Sequence, residues 1–148
     1  RLALGAAGEC YLAHGEASEE RGSRFVAHLA FPLRSEAAAQ AAVAQMRLHP
    51  SARSADHNIS AYRVEDGAAA SGVACRCDDD GEATAGAKLL RALQAMQAVG
   101  VAVVVSRWYG GVNIGPARFR HICGGATQLL RRCGARPGEP LRGPERAW

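Results

Sequence analysis

Five consecutive apolar residues, Val101 to Val105, constrain the fold of this chain more than any other segment. Four of the five are valine, and a short continuous β-branched run is typical of a strand that is buried on both faces of a sheet. A glycine-rich loop follows from Gly110 to Gly115, and Pro116 stands at the expected first position of a helix. We therefore expect a central strand, a loop and then a helix from Ala117 to Cys133.

Three other strands and two other helices are predicted before this unit. Ser35 is a suitable N-cap for an alanine-rich first helix, and Gly100 is the expected residue just beyond the end of the second. The predicted strands are Phe25–Phe31, Ile59–Glu65 and Gly72–Cys77, and the predicted helices are Glu36–His49 and Ala83–Val99. The order β-α-β-β-α-β-α indicates an α+β fold, a two-layer sandwich in which a four-stranded sheet carries helices on one face.

The two ends of the chain lack this patterning. Residues 1–22 mix Gly, Ala, Glu and Ser with weak periodicity, which predicts a leader or linker. Residues 135–148 are rich in Pro, Gly, Arg and Glu, which predicts a disordered basic tail. A folded domain is expected over residues 23–134, and a chain of 148 residues has room for one sizeable core.

The charge distribution argues against a broad nucleic-acid surface on the folded part. The net charge is +4, but five arginines and two glutamates follow position 130, so that +3 of the excess lies there. The rest of the chain is nearly neutral. A basic tail of this kind binds polyanions without sequence specificity.

The cysteines and the hydropathy indicate a cytoplasmic protein. Five cysteines form no C-x-x-C pair, so we expect free thiols in a reducing compartment, with no metal site and no cofactor. The apolar run from Val99 to Val105 is far shorter than the ~20 residues that cross a bilayer, and no secretory signal is visible. We expect no membrane partner.

Four acidic residues crowd the turn before the second helix, in the segment Asp78-Asp79-Asp80-Gly81-Glu82. Carboxylates this close repel one another, so a chain that keeps them has a use for them. One use is a cation site or an anchor for a basic side chain of a partner. The other is structural, with Asp80 and Glu82 beside the positive end of the helix dipole.

The loop from Gly110 to Gly115 also has two interpretations. A strand, a glycine loop and a helix N-terminus together can hold an anion on backbone N–H groups. The Lys-Ser/Thr of a P-loop and the G-x-G-x-x-G order of a dinucleotide site are both missing, and the glycines can simply permit a tight turn. We expect Arg107 to face the acidic turn and to form an ion pair that joins the two loops.

No complete catalytic set is visible. His28, His57 and His121 are interpreted as structural or surface residues, since a Cys–His or Ser–His pair depends on spatial contact. Tyr62, Trp108 and Tyr109 are interpreted as core residues. A metal-dependent hydrolase built on the acidic turn remains an alternative.

Four segments resemble the IMPACT family, in its eukaryotic form, which is related to the N-terminal domain of the bacterial YigZ proteins. They are S-R-F-V-A-H-L-A from Ser23, D-H-N-I-S-A-Y-R from Asp56, D-D-G-E-A-T-A-G from Asp79 and V-V-V-S-R-W-Y-G-G-V-N-I-G-P-A-R-F-R-H-I from Val103. The resemblance covers roughly residues 20 to 133.

The resemblance implies a fold similar to the second domain of a small-subunit ribosomal protein. It also implies a non-enzymatic regulator of translation. Eukaryotic members are similar to proteins that compete for a ribosome-associated co-activator of the amino-acid-starvation kinase, and thereby limit phosphorylation of an initiation factor. Actin binding is a further partner interaction that the resemblance implies.

Residue by residue, the family motif marks a binding surface. Its members are Asp79, Asp80, Gly81, Glu82, Gly86, Arg107, Trp108, Tyr109, Gly110, Gly111, Gly115, Arg118 and Phe119. Protein binding is the first hypothesis. The alternative is an anion- or RNA-binding module that uses the glycine loop with Arg107, Arg118 and Arg120. If the two loops share one cleft, Asp79→Ala and Arg107→Ala are expected to impair binding and to leave the fold largely intact.

Overall fold

A seven-stranded antiparallel sheet is arranged around the strand predicted from Val101–Val105. A computed structural model describes residues 1–141. The strands are β1 (Leu2–Ala3), β2 (Glu9–His14), β3 (Ser18–Glu20), β4 (Ser23–Phe31), β5 (His57–Glu65), β6 (Val73–Asp78) and β7 (Val101–Trp108). The helices are α1 (Glu36–Leu48), α2 (Ala85–Ala95) and α3 (Ala117–Arg132).

The last strand in sequence lies in the middle of the sheet. The spatial order is β1-β2-β4-β7-β5-β6, and β3 also pairs with β4. The predicted α+β class is confirmed, but the expected four strands, β4 to β7, are only one side of a larger sheet. Short strands at one edge account for the difference.

The helices cover both faces of the sheet, so the expectation of helices on one face is wrong. Val101, Val103 and Val105 pack in one core cluster with residues of α2 and α3. Ala102 and Val104 point the other way, into a second cluster with residues of α1. Since successive side chains of a strand alternate between faces, the continuous apolar run of β7 requires a cover on each side.

Residues 1–22 are part of the sheet, which corrects the interpretation as a leader or linker. Tyr11–His14 of β2 pair with His28–Phe31 of β4, and Ser18–Glu20 of β3 pair with Ser23–Phe25 of the same strand. Cys10 is fully buried in the α1-side cluster. Backbone pairing with β4 thus orders a segment whose own sequence pattern is weak.

The start of the predicted tail is also ordered. Pro140 bridges to Val99, and Leu141 is buried in the core cluster of α2 and α3. The prediction of disorder is therefore wrong for the segment that reaches Leu141. Residues 142–148 lie outside the described part of the chain.

The helix ends follow local backbone chemistry. The Ser35 hydroxyl accepts a hydrogen bond from the Ala38 backbone N–H, which confirms the predicted N-cap of α1. Helix α2 is shorter than predicted because Thr84 and Gln97 adopt left-handed backbone angles, with φ of 65° and 52°. Gly100 also has a positive φ of 75°, but it precedes β7 and is not the residue that ends α2.

A row of polar side chains crosses the sheet on the α1 side. His14 and His28 face each other with their Nδ1 atoms 2.8 Å apart, and His28 Nε2 lies 2.9 Å from the Ser106 hydroxyl. That hydroxyl donates to Asn58 Oδ1. Because a serine has one hydroxyl hydrogen, His28 Nε2 must carry the proton that Ser106 accepts. Neutral His28 then accepts from His14 at Nδ1.

Residues 1–141 contain neither a membrane-spanning helix nor a cluster of metal ligands. No helix there has the length and apolar character that crossing a membrane requires. No group of three or more His, Cys, Asp or Glu side chains there is arranged to hold a metal ion. The five cysteines are all free thiols.

The histidine row predicts that acid destabilises the domain. Burial, followed by repulsion from His14 and His49, lowers the pKa of His28 from 6.5 to about 4. Between these two values the unfolded chain binds a proton that the folded chain does not bind, so stability falls as the pH decreases. Between pH 7 and pH 5 this one group should lower the free energy of unfolding by about 2 kcal/mol.

Urea unfolding at a series of pH values measures this loss. His28→Gln keeps a polar side chain at the position and removes the titration, so its stability should change less between pH 7 and pH 5. An identical pH dependence for the variant and the wild type would contradict the assignment to His28.

Candidate functional site

Arg107 is buried at the end of the central strand. It lies opposite Phe25 of β4 on one side and His57 of β5 on the other. Its guanidinium carbon lies 5.3 Å from the centre of the Phe25 ring and 5.4 Å from that of Tyr109. The residue is only 4% exposed, so two aromatic rings and the sheet hold a charge inside the protein.

Glu82 neutralises this charge. Its Oε1 atom lies 2.5 Å from Arg107 Nη1 and 3.0 Å from Arg118 Nε, and the residue is 6% exposed. The predicted ion pair between Arg107 and the acidic turn is therefore confirmed. Arg118, in the first turn of α3, is the second cation, so one carboxylate joins the β6–α2 turn, the end of β7 and α3.

A buried serine fixes the start of the glycine loop. The Ser23 hydroxyl accepts hydrogen bonds from Arg107 Nη2 at 3.3 Å and from the Gly110 backbone N–H at 3.2 Å. Gly110 lies so close to the neighbouring turn that an added Cβ would stand 2.2 Å from the backbone carbon of Gly22. The loop therefore needs glycine at this point because of a close approach between two backbones.

The three aspartates of the acidic turn have separate structural roles. Asp79 accepts hydrogen bonds from the backbone N–H groups of Thr84 at 3.1 Å and Gly86 at 2.7 Å, and thereby caps α2. Asp80 Oδ2 accepts from the Asn58 backbone N–H at 2.7 Å. The predicted capping function is thus present, but Asp79 supplies it and not Asp80 or Glu82.

Asp78 is tied to α1. Its Oδ2 lies 2.7 Å from Arg47 Nη2, and its Oδ1 accepts from the Asp80 backbone N–H at 2.9 Å. The hydrogen bond from Arg47, and then that from Asp80, hold the pKa of Asp78 below its ordinary value. Each carboxylate of the turn therefore meets its own donors, which lowers the repulsion among them.

A shallow pocket of about 350 Å³ opens beside the buried ion pair. We call it the Glu82–Arg107 pocket, and it is lined by His57, Glu82, Arg107, Tyr109, Asn113 and Arg118. Tyr109 is 51% exposed and Val112, in the same loop, is 45% exposed. The interpretation of Tyr109 as a core residue is therefore wrong, since its half-exposed ring lines the pocket beside buried charges.

The other predicted site residues surround this pocket without lining it. Trp108 donates from Nε1 to the Ser54 hydroxyl, and Arg24 lies over its ring. Phe119 lies between Lys88 and Arg118, whose cationic groups stand 4.9 Å and 4.3 Å from the ring centre. Gly86 allows α2 to pack against Asp78, since a Cβ there would lie 2.8 Å from its backbone carbon. Gly81, Gly111 and Gly115 all have positive φ angles.

Three residues of the site were missed from the sequence: Ser23, His57 and Asn113. His57 Nδ1 lies 2.7 Å from the Asp80 carbonyl oxygen and must donate to it, while Nε2 is 3.8 Å from Glu82 Oε2. Asn113 Oδ1 accepts from the Gly115 backbone N–H at 2.9 Å. The segments that carry the family resemblance contain all three, which was the available signal.

A Ser–His contact outside the pocket has a structural explanation. His121 Nδ1 lies 2.9 Å from the Ser18 hydroxyl, and its ring stacks on Phe25 with a centre-to-centre distance of 4.8 Å. Its Nε2 is 3.6 Å from Glu20 Oε1, which is longer than a hydrogen bond. The contact joins α3 to β3 and agrees with the interpretation of His121 as a structural residue.

The model of the Impact N-terminal domain matches residues 21–130. This chain belongs to the Impact N-terminal domain family. The match includes every residue that lines the Glu82–Arg107 pocket. The resemblance predicted from the sequence motifs is therefore confirmed.

Named relatives share about two fifths of the aligned residues of this Impact domain. Protein IMPACT of Xenopus laevis is 40% identical over 119 residues, which cover 80% of this chain and 38% of that protein. The Protein IMPACT homolog of Caenorhabditis elegans is 41% identical over 118 residues, with 79% and 46% coverage. Protein IMPACT of Homo sapiens is 40% identical over 119 residues. The chain spans less than half the length of these relatives.

Solved structures show the same fold. A crystal structure of a hypothetical protein superimposes with a TM-score of 0.67 at 30% identity, over 84% of this chain and 61% of that one. The two-domain translational regulator Yih1 superimposes with a TM-score of 0.58 at 36% identity. That match covers 82% of this chain and 46% of Yih1.

The buried position of Arg107 changes what its substitution should do. Arg107→Ala was expected to leave the fold largely intact, but removal of one partner leaves Glu82 buried with Arg118 alone. Breaking a buried ion pair in this way costs about 3–5 kcal/mol. We therefore expect Arg107→Met to lower the free energy of unfolding by about that amount in urea denaturation.

Arg120→Met is the matched control, because Arg120 is exposed on α3 and its loss should change stability by no more than about 0.5 kcal/mol. The double variant Glu82→Gln/Arg107→Met should lose less than the sum of the two single losses. Additive losses would show that the pair contributes no coupling energy.

Gly110→Ala should also be strongly destabilising, since its Cβ would collide with the backbone of Gly22. Gly124 provides the control, because it lies in α3 with no atom within 4 Å of an added Cβ. Gly124→Ala should therefore raise stability by about 1 kcal/mol through helix propensity. Thermal unfolding of the two variants, followed by circular dichroism, compares them directly. Similar melting temperatures would contradict the close approach.

Proposed function

We propose that this Impact domain is a non-enzymatic regulator of translation that acts by binding another protein. Membership of the family supports the general role, since its relatives include a two-domain translational regulator. The observation that carries the binding role is the exposure of Tyr109, which lines the pocket beside the Glu82–Arg107 pair, and of Val112 in the same loop. Tyrosine and arginine are the residue types most often found at the energetic centres of protein interfaces.

The groups that catalysis would need are engaged in structural contacts. Asp79 and Asp80 accept backbone N–H groups, and Glu82 is paired with two arginines. These carboxylates therefore point to separate partners and do not converge on one reacting atom or cation. This geometry favours a binding surface over the hydrolase alternative.

RNA binding is less well supported than protein binding. Of the arginines considered for it, Arg107 is buried and Arg118 shares the Glu82 carboxylate with it. Paired and buried cations add little to the attraction for a phosphate backbone. Of these three arginines Arg120 alone is exposed, which is a small basis for RNA affinity.

The finer proposal is that the partner is the ribosome-associated co-activator of the amino-acid-starvation kinase. In this scheme the domain occupies the co-activator and so limits phosphorylation of the initiation factor. Actin is a second candidate partner. Both follow from the family resemblance.

A capture experiment tests this function. The immobilised domain is incubated with a translation-competent cell extract, and the bound proteins are identified by mass spectrometry. The wild type should recover the co-activator, while Tyr109→Ala/Val112→Ser should lose most of it. Both side chains are about half exposed, so the double variant should fold, at the cost of the contact between the Tyr109 ring and Arg107; circular dichroism checks the fold.

Leu48→Ser is the matched control, since Leu48 is 71% exposed in α1, away from the pocket lining. It should bind as the wild type does. A folded wild-type domain that captures no translation-associated protein, and leaves initiation-factor phosphorylation unchanged in a starved extract, would contradict the proposal. Capture of actin alone would support the second partner instead.

A further inference from the structure

We propose that the Glu82–Arg107 pocket receives an acidic side chain, aspartate or glutamate, of the partner protein. This inference rests on the proposed protein-binding function and adds the chemistry of the contact. The pocket contains two guanidinium groups and one carboxylate, so with His57 neutral its formal charge is +1. A ligand with one negative charge would balance it.

The groups at the mouth of the pocket are hydrogen-bond donors. Arg118 is the more accessible arginine, with a side chain that is 23% exposed. Its Nε faces Glu82 and its Nη1 donates to the Gly115 carbonyl oxygen, so Nη2 keeps both hydrogens without a partner in residues 1–141. Because Asn113 Oδ1 already accepts from Gly115, its Nδ2 carries the free hydrogens. The Tyr109 hydroxyl completes this set.

The carboxylates around the pocket are withdrawn from its mouth. Glu82 Oε1 serves both arginines, and Oε2 is buried, with no hydrogen-bond partner in the described residues. Asp79 and Asp80 point to backbone N–H groups of α2 and β5. Apart from His57 Nε2, an incoming group therefore meets the donors of Arg118, Asn113 and Tyr109 at the mouth. These donors favour an acceptor such as a carboxylate.

The guanidinium of Arg118 is held ready for such a contact. It lies 4.3 Å from the centre of the Phe119 ring, and two of its nitrogens are already fixed by Glu82 and Gly115. Little side-chain entropy is then lost when a ligand binds, which favours affinity. The N-terminus of α3, one residue away, adds a positive dipole end.

The surroundings favour a protein carboxylate over an RNA phosphate. The exposed ring of Tyr109 lines the pocket, and the exposed Val112 precedes the lining residue Asn113 in the chain, so the apolar surface of a protein would find apolar contacts here. A single accessible arginine with two apolar neighbours fits an acidic residue flanked by a large apolar residue. A track of phosphates would need a row of free cations.

A peptide selection on the whole chain tests the inference. Random peptides displayed on phage are selected on the immobilised wild-type domain, and the binders are synthesised for fluorescence-anisotropy titration. The selected peptides should share an Asp or Glu next to a large apolar residue. Changing that acid to Asn or Gln should weaken binding about tenfold or more, the loss expected for one charge-assisted hydrogen bond.

Two variants of the domain locate the contact. Arg118→Gln should weaken the binding of the same peptides by about tenfold. Arg120→Gln, which changes an exposed neighbour on α3, should leave their binding unchanged. Asn113→Asp keeps the acceptor for Gly115 and the contacts of Glu82, and adds a negative charge at the mouth. It should weaken the binding of acidic peptides without destabilising the fold, since an acidic side chain near a helix N-terminus is favourable.

Several results would overturn the inference. One is a selection that yields no acid-dependent binder. Another is an acidic peptide whose affinity for Asn113→Asp and Arg118→Gln equals its affinity for the wild type. Binding of a fluorescent poly-uridine RNA that is lost in Arg118→Gln would assign the pocket to phosphate. If the co-activator is lost from the Tyr109 variant but is still captured by Asn113→Asp, the proposed function stands and only the acidic contact in the pocket is refuted.

Discussion

The buried pair of Glu82 and Arg107 is the interaction on which the arrangement of the site depends. A charge that is removed from water is tolerated only when it is paired and hydrogen-bonded, so each partner restricts where the other can lie. The pair joins a turn, a strand end and, through Arg118, a helix. The rings of Phe25 and Tyr109 both lie close to the guanidinium. The loops around the pocket are therefore not free to move independently.

Both faces of the sheet contribute to this rigidity. The ion pair lies on the side of α2 and α3, while the row from His14 to Asn58 lies on the side of α1. Asn58 links the two, because its side chain accepts from Ser106 and its backbone N–H donates to Asp80 of the acidic turn. Protonation at His28 would thus disturb strands that also carry the pocket.

The sequence predicted the parts of the fold that have strong local patterns. The valine run identified the central strand, Ser35 identified the start of α1, and opposite charges in two loops predicted the ion pair. The edge strands in residues 1–22 were missed because pairing with β4, and not their own composition, orders them. Burial of Arg107 was missed for a similar reason, since depth in the sheet depends on neighbours from distant strands. The match to the family motifs supplied most of the candidate site residues, but it did not single out Ser23, His57 or Asn113 and it did not predict separate roles.

The central position of β7 determines when the sheet can be completed. Strand β7 lies between β4 and β5 and pairs with both. About seventy residues separate β7 from β4 along the chain. A nascent chain that emerges N-terminus first therefore carries two unfinished sheet edges until its last strand leaves the ribosome. The β4–β7 and β5–β7 pairings can form only after β7 has been made, and since Arg107 lies in β7, the same pairing brings the arginine to Glu82.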